Sequence, residues 1–186
     1  MAGLSDINRL YQKYYADCPE LRRIVVQHSE LVAKKALKIC KEKNLDLDPR
    51  DVYCAAMLHD IGVVKCNAPD IFARGNLPYI MHGIEGEKIL MNEGLLSYAR
   101  ICSTHTGAGI SAEEIERQKL PLPQKDMIPE SLLEKLICYA DKFFSKSKDI
   151  TKEKTPEEIF RQMERFGKDS VARFEALHSL FGIVNK

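Results

Sequence analysis

The sequence predicts an all-α bundle. Three observations carry that reading. Apolar residues recur at three- and four-residue steps along most of the chain, capping and breaking residues punctuate those runs at helical lengths, and no segment shows the strict alternation of a half-buried strand. The chain has 186 residues, with 45% apolar and 30% charged side chains. That length suits one unit with a substantial core, so residues 1–186 are expected to form a single domain.

The first helix is expected over Leu4–Ala16, where Leu10 and Tyr14 lie one turn apart, and Pro19 breaks the chain before the next. Across Leu21–Lys43, Leu21, Ile24, Val25, Leu31, Val32, Ala36 and Ile39 form one apolar stripe, and His28 falls on it. Asp48 then serves as N-cap with Pro49 at the first helical position, while Leu47 and Val52 are placed to form a hydrophobic staple. The inward face of this helix is Val52, Ala55, Ala56 and His59, and Gly62 is expected to end it as a C-terminal glycine. From Gly62 to Tyr79, prolines and a glycine without sustained period predict a long ordered loop, of the sort that often shapes a binding site.

His82 opens a helical segment closed by Gly94. From Leu95 to Thr106 a short helix carries Tyr98, Ile101, Cys102 and His105 at helical spacing and stops at Gly107. Ser111 with Glu114 is a capping box for another short helix. After Pro121 and Pro123, a longer helix presents Leu133, Ile137, Ala140, Asp141 and Phe144 on one face. Thr155-Pro-Glu-Glu caps the next, and a last amphipathic stretch holds Val171, Phe174, Leu177 and Leu180, with His178 given no role.

Lys+Arg of 28 against Asp+Glu of 27 leaves almost no net charge, which argues against a nucleic-acid polymer as partner. Six scattered cysteines without a C-x-x-C pair read as reduced, mostly buried thiols of a cytoplasmic protein. The start shows no basic segment leading into an apolar run, and no apolar run is long enough to span a bilayer.

Four of five histidines, His28, His59, His82 and His105, and two acids, Asp60 and Asp141, fall on inward faces or ends of separate helices. Each alone reads as a hydrogen-bonded core residue or a helix-end carboxylate. Together they are costly to bury without a shared partner, and a divalent metal supplies one. Imidazole and carboxylate suit manganese, iron, zinc, nickel or magnesium, so one or two such ions are expected.

The order His28, His59-Asp60, Asp141, with the surround Leu-His-Asp-Ile-Gly, resembles the HD-domain superfamily of metal-dependent phosphohydrolases. The similarity runs from about Leu21 to Phe144 and includes MHGIEGEKIL, THTGAGIS and YADKF. It implies an HD-domain helical bundle with the metal site at its centre, a core of about 21–146, an N-terminal helix and a C-terminal helical extension. It further implies that His28, His59, Asp60 and Asp141 bind a first metal, and that His82 and His105 match the extra histidines of two-metal members, with Asp60 bridging. The chain departs from many members after the motif glycine, where it has Val63-Val64 rather than lysine.

On that resemblance the expected activity is hydrolysis of a phosphate ester in a nucleotide or other small phosphorylated molecule by metal-activated water. Asp60 would be catalytic, and Lys65, Arg74 and Lys142 are candidates for contacting the phosphate, each equally readable as a solvated cation. Glu85 is a candidate for orienting an imidazole. The alternatives are a di-iron HD-domain oxygenase and a catalytically silent metal-binding module. A homo-oligomer is compatible with the pattern, and no membrane association is expected.

Overall fold

The computed structural model describes residues 3–146 and 149–182; residues 1–2, 147–148 and 183–186 of the expected 1–186 unit lie outside the described residues. Helices dominate, and the caps explain where they begin. The first, α1 (Leu4–Tyr14), starts where the Gly3 amide donates to Asp6, and α2 (Pro19–Lys43) has proline at its first position. Asp48 accepts the Arg50 amide at 2.8 Å to start α3 (Pro49–Leu58). Then come α4 (His82–Asn92), α5 (Leu96–Thr104), α6 (Ala112–Gln118), α7 (Leu132–Asp141), α8 (Pro156–Met163) and α9 (Lys168–Phe181). Both expected capping boxes form, at Ser111 with Glu114 and at Thr155 with Glu158.

A large core joins α2, α3, α5 and α7 with the inner faces of α1, α8 and α9. Tyr11 and Tyr15 reach from α1 and its end to the carbonyls of Met57 and Ile61, at 2.7 and 3.0 Å. Backbone acceptors freed where α3 stops are thereby satisfied from another helix. All six cysteines are free, and five of them are buried.

The expected long ordered loop between Gly62 and Tyr79 is built from a 3-10 turn (Ile61–Lys65), a small antiparallel ribbon of β1 (Asn67–Ala68) and β2 (Ala73–Arg74), and further 3-10 turns at Pro69–Ile71 and Tyr79–Met81, and one expectation within it is corrected. Strands of two residues are too short to leave an alternating pattern. Gly62 is not a left-handed cap. A Cβ there would lie 2.1 Å from the His82 carbonyl oxygen and 2.3 Å from the Gly86 amide nitrogen, so glycine is required by the close approach of the turn to α4.

Candidate metal centre

The ends of α3, α4, α5 and α7 and the middle of α2 converge. His28, on the inward stripe of α2, His59 and Asp60 at the end of α3, and Asp141 at the last position of α7 bring ligand atoms within 4.8 Å of one another. A second group within the same limit joins Asp60 to His82, at the start of α4, and His105, just past α5. All six residues are buried.

Asp60 belongs to both groups with a different oxygen for each. Its Oδ2 lies 2.9 Å from His59 Nε2 and 3.3 Å from His28 Nε2, while its Oδ1 lies 3.6 and 3.5 Å from the Nε2 atoms of His82 and His105. Asp141 Oδ1 completes the first group, 2.9 Å from His28 Nε2 and 3.4 Å from His59 Nε2.

The hydrogen bonds on the far sides of the rings make these donor sets fit a cation. His82 Nδ1 is 2.7 Å from the Tyr79 carbonyl, His59 Nδ1 2.6 Å from that of Ala56 and His105 Nδ1 3.3 Å from that of Ile101. A carbonyl accepts only, so each Nδ1 donates, and the neutral rings of His82 and His105 turn their Nε2 lone pairs inward. His82 Nε2 and His105 Nε2 consequently face each other at 3.1 Å, with a carboxylate oxygen behind them. Two lone pairs at that distance repel unless a proton or a metal ion lies between the donors. Buried Asp60 Oδ1, which faces those two rings, also makes no hydrogen bond.

Electrostatics agree with that reading. Burial, reinforced by the two rings' proximity, pulls His82 down to about 3, and burial also lowers His105, so both rings are neutral near pH 7. Burial works against charge on Asp60 and Asp141 too, yet His59 and Lys146 hold the first, and Lys142 with the histidines the second, well below the usual carboxylate range. Burial would lower His59, but Asp60 and Asp141 outweigh it and lift it to about 9. The centre thus attracts positive charge, and a divalent ion meets the same demand as the His59 proton.

The other expected contacts divide. Lys142 is at the site, its Nζ 2.7 Å from Asp141 Oδ2 and donating to the His105 carbonyl at 2.8 Å. Lys65 and Arg74 are exposed on the turn and ribbon and line neither of the cavities that reach the cluster. Glu85 pairs with Lys88 at 2.7 Å and so does not orient an imidazole. His178, given no role, holds the Tyr139 hydroxyl at 2.8 Å, away from the centre.

Sequence reasoning missed Lys146, whose buried ammonium lies 2.6 Å from Asp60 Oδ2, and Tyr79, whose ring stacks on His82 with centroids 4.8 Å apart. Neither sits on a periodic helix face. The one available signal was their place just beyond Asp141 and just before His82.

A model of the HD domain matches residues 25–145. A tRNA (cytidine(56)-2'-O)-methyltransferase of Picrophilus torridus is 37% identical over 128 residues, 68% of this chain and 33% of that protein. The enzyme of the same name from Thermoplasma volcanium is 29% identical over 161 residues, 86% of this chain and 42% of that protein. An uncharacterized protein of Methanocaldococcus jannaschii is 33% identical over 130 residues, 68% of this chain and 69% of that one. No solved structure matches.

The chain therefore spans a third to two fifths of the methyltransferases it matches. Their names correct the expected function. They describe methyl transfer to a tRNA, so the phosphohydrolase acting on a small phosphate ester, and with it the oxygenase alternative, is set aside. The expected exclusion of a nucleic-acid polymer falls for the same reason. Net charge sums the whole surface and is blind to clustering. Lys152, Lys154, Arg161 and Arg165 line a single cavity of about 420 Å³ with only Asp149 and Glu158 among them as acids. What survives is the pattern that led to the centre, His28, His59-Asp60 and Asp141, now found in one cluster inside the matched residues, and the chain belongs to the HD domain family.

Proposed function

We propose that this chain is a metal-holding HD unit that acts on tRNA in the service of ribose 2′-O-methylation, with the described residues forming one such unit. The observation that carries the reading is where the likeness lies. An alignment covering 86% of this chain necessarily runs through the HD-matched residues 25–145, while reaching only 42% of the methyltransferase. In this reading the rest of the relatives' length holds the methyl donor. The M. jannaschii relative, of which 130 aligned residues make 69%, is about this chain's own size, which supports a unit that also occurs apart from such an extension.

His28, His59, Asp60 and Asp141 are proposed to hold one divalent ion, and Asp60, His82 and His105 a second. When bound, such an ion polarises an oxygen ligand, for instance a ribose hydroxyl or a phosphate oxygen of the RNA. Lys142 and Lys146 secure the Asp141 and Asp60 carboxylates and offer positive charge to the RNA backbone.

The test combines elemental analysis of the purified chain with filter binding of a tRNA transcript, and with transfer of labelled methyl groups from S-adenosylmethionine. One or two divalent ions per chain, and tRNA binding that weakens on chelation, are expected, with methyl transfer appearing only when a methyltransferase unit is added. Absence of tRNA binding overturns the reading. Methyl transfer by the chain alone overturns the placement of the donor elsewhere.

A further inference from the structure

Two cavities flank the metal centre, and Tyr79 forms part of the wall of both. On one side lies a space of about 330 Å³ bordered by Asp141, Ser145 and Lys146. On the other lies a more enclosed, mainly apolar space of about 370 Å³ that reaches His82. Ile80, Ile110 and Leu120 contribute to its walls, Phe166 stands beside it 53% exposed, and Thr106 and Gln118 add hydrogen-bonding groups. Its floor is built rather than incidental. Gly107 and Gly109 adopt positive φ of 59° and 87°, and Arg173 donates to the carbonyls of Ala108 and Gly109 while pairing with buried Glu114 at 2.7 Å.

We propose that this apolar cavity is a nucleobase site, taking one unstacked base of an RNA strand against Tyr79 and Phe166 while the adjoining phosphodiester lies toward Lys146. The inference rests on the tRNA reading above and names the part of the RNA involved. Single-stranded RNA is recognised by splaying bases onto aromatic side chains and hydrogen-bonding their edges, with basic groups on the backbone. The arrangement has those three components: exposed aromatic edges, a few polar groups within an apolar wall, and a lysine on the opposite side of the same tyrosine.

The test uses a single-stranded RNA oligonucleotide carrying 2-aminopurine, whose fluorescence falls on stacking, and the same oligonucleotide with an abasic nucleotide in its place. Phe166→Ala and Gln118→Ala alter exposed positions that are not metal ligands, and Phe72→Ala removes an equally exposed aromatic that lines neither cavity. Wild type is expected to quench the probe and to prefer it to the abasic strand. Loss of one stacking contact in Phe166→Ala should weaken binding by roughly ten-fold and erase that preference, with Gln118→Ala intermediate and Phe72→Ala unchanged. Equal binding and equal preference in wild type and Phe166→Ala overturn the base site while leaving the tRNA reading intact. A titration with cytidine monophosphate separates the two. Saturable binding lost in Phe166→Ala, in a protein that fails to bind tRNA, upholds the cavity and overturns the tRNA reading.

Discussion

Asp60 has one oxygen in each ligand group, which makes it the residue whose loss should be felt most widely. Asp60→Ala is expected to remove metal retention altogether, read as metal per chain, while circular dichroism keeps its helical signal. His178→Ala is the matched comparison and should keep its metal. Because His178 bonds Tyr139 and packs on Phe160, it should nonetheless melt several degrees lower, through loss of about 1–2 kcal/mol. The six clustered positions could be read from the sequence because each placed a polar group at the end or on the stripe of an apolar helix face, where burial without a partner is costly. Lys146 could not be read that way. It follows α7 in a segment with no period, and its reach to Asp60 depends on how the chain turns after Phe144. Lys65 and Arg74, the other candidate phosphate contacts, lie exposed on the turn and the ribbon and line neither cavity that reaches the cluster.

Among elements, the joint between the Ile61–Lys65 turn and α4 matters most, because it fixes His82 relative to Asp60. Gly62→Ala places a methyl group against backbone that cannot rotate away. A cost of about 3 kcal/mol and a fall in Tm on the order of 10 °C are expected, together with loss of the ion held by His82 and His105. Retained stoichiometry at a lowered Tm would show that the joint stabilises without positioning. A second joint holds α1 to the end of α4. Glu93 receives Lys13, Arg9 and Tyr14 at 2.6, 2.6 and 2.7 Å, and those bonds hold its carboxyl at about 2, against an ordinary value of 4.5. A depressed folded-state pKa stabilises fully above the unfolded value and is lost as pH falls through the folded one. Glu93→Gln should therefore melt below wild type at pH 7, and the gap should close as pH drops from about 4.5 toward about 2. Helix existence and start were legible from caps and stripes, whereas Gly62 shows what was not: a glycine in a sequence looks alike whether it relieves φ or admits a neighbouring backbone.

Across the whole molecule, the sequence carried the fold and the ligand order but misled on the partner, because 28 positive against 27 negative charges says nothing of where they lie. Their placement depends on the C-terminal helices, which bring Arg161 and Arg165 to one basic cavity and Arg173 to the apolar cavity that reaches His82. Arg173 is the tether. From α9 it bonds the carbonyls of Ala108 and Gly109 and pairs with Glu114, whose side chain is 4% exposed. Arg173→Ala leaves that carboxylate buried without its partner and should cost about 3 kcal/mol, the lower end for such a loss because Arg173 is itself 20% exposed. It also releases the loop that floors the apolar cavity. His105 stays anchored by α5 and its own bond to Ile101, so the metal centre should survive. The expected result is a variant with wild-type metal content, a lower Tm and weakened RNA binding. Arg173→Lys should recover part of the stability but little of the loop, since one ammonium cannot reproduce the fixed guanidinium fork that spans both carbonyls and the carboxylate. If Arg173→Ala instead loses its metal, the tether serves the centre itself and the two sites are one mechanical unit.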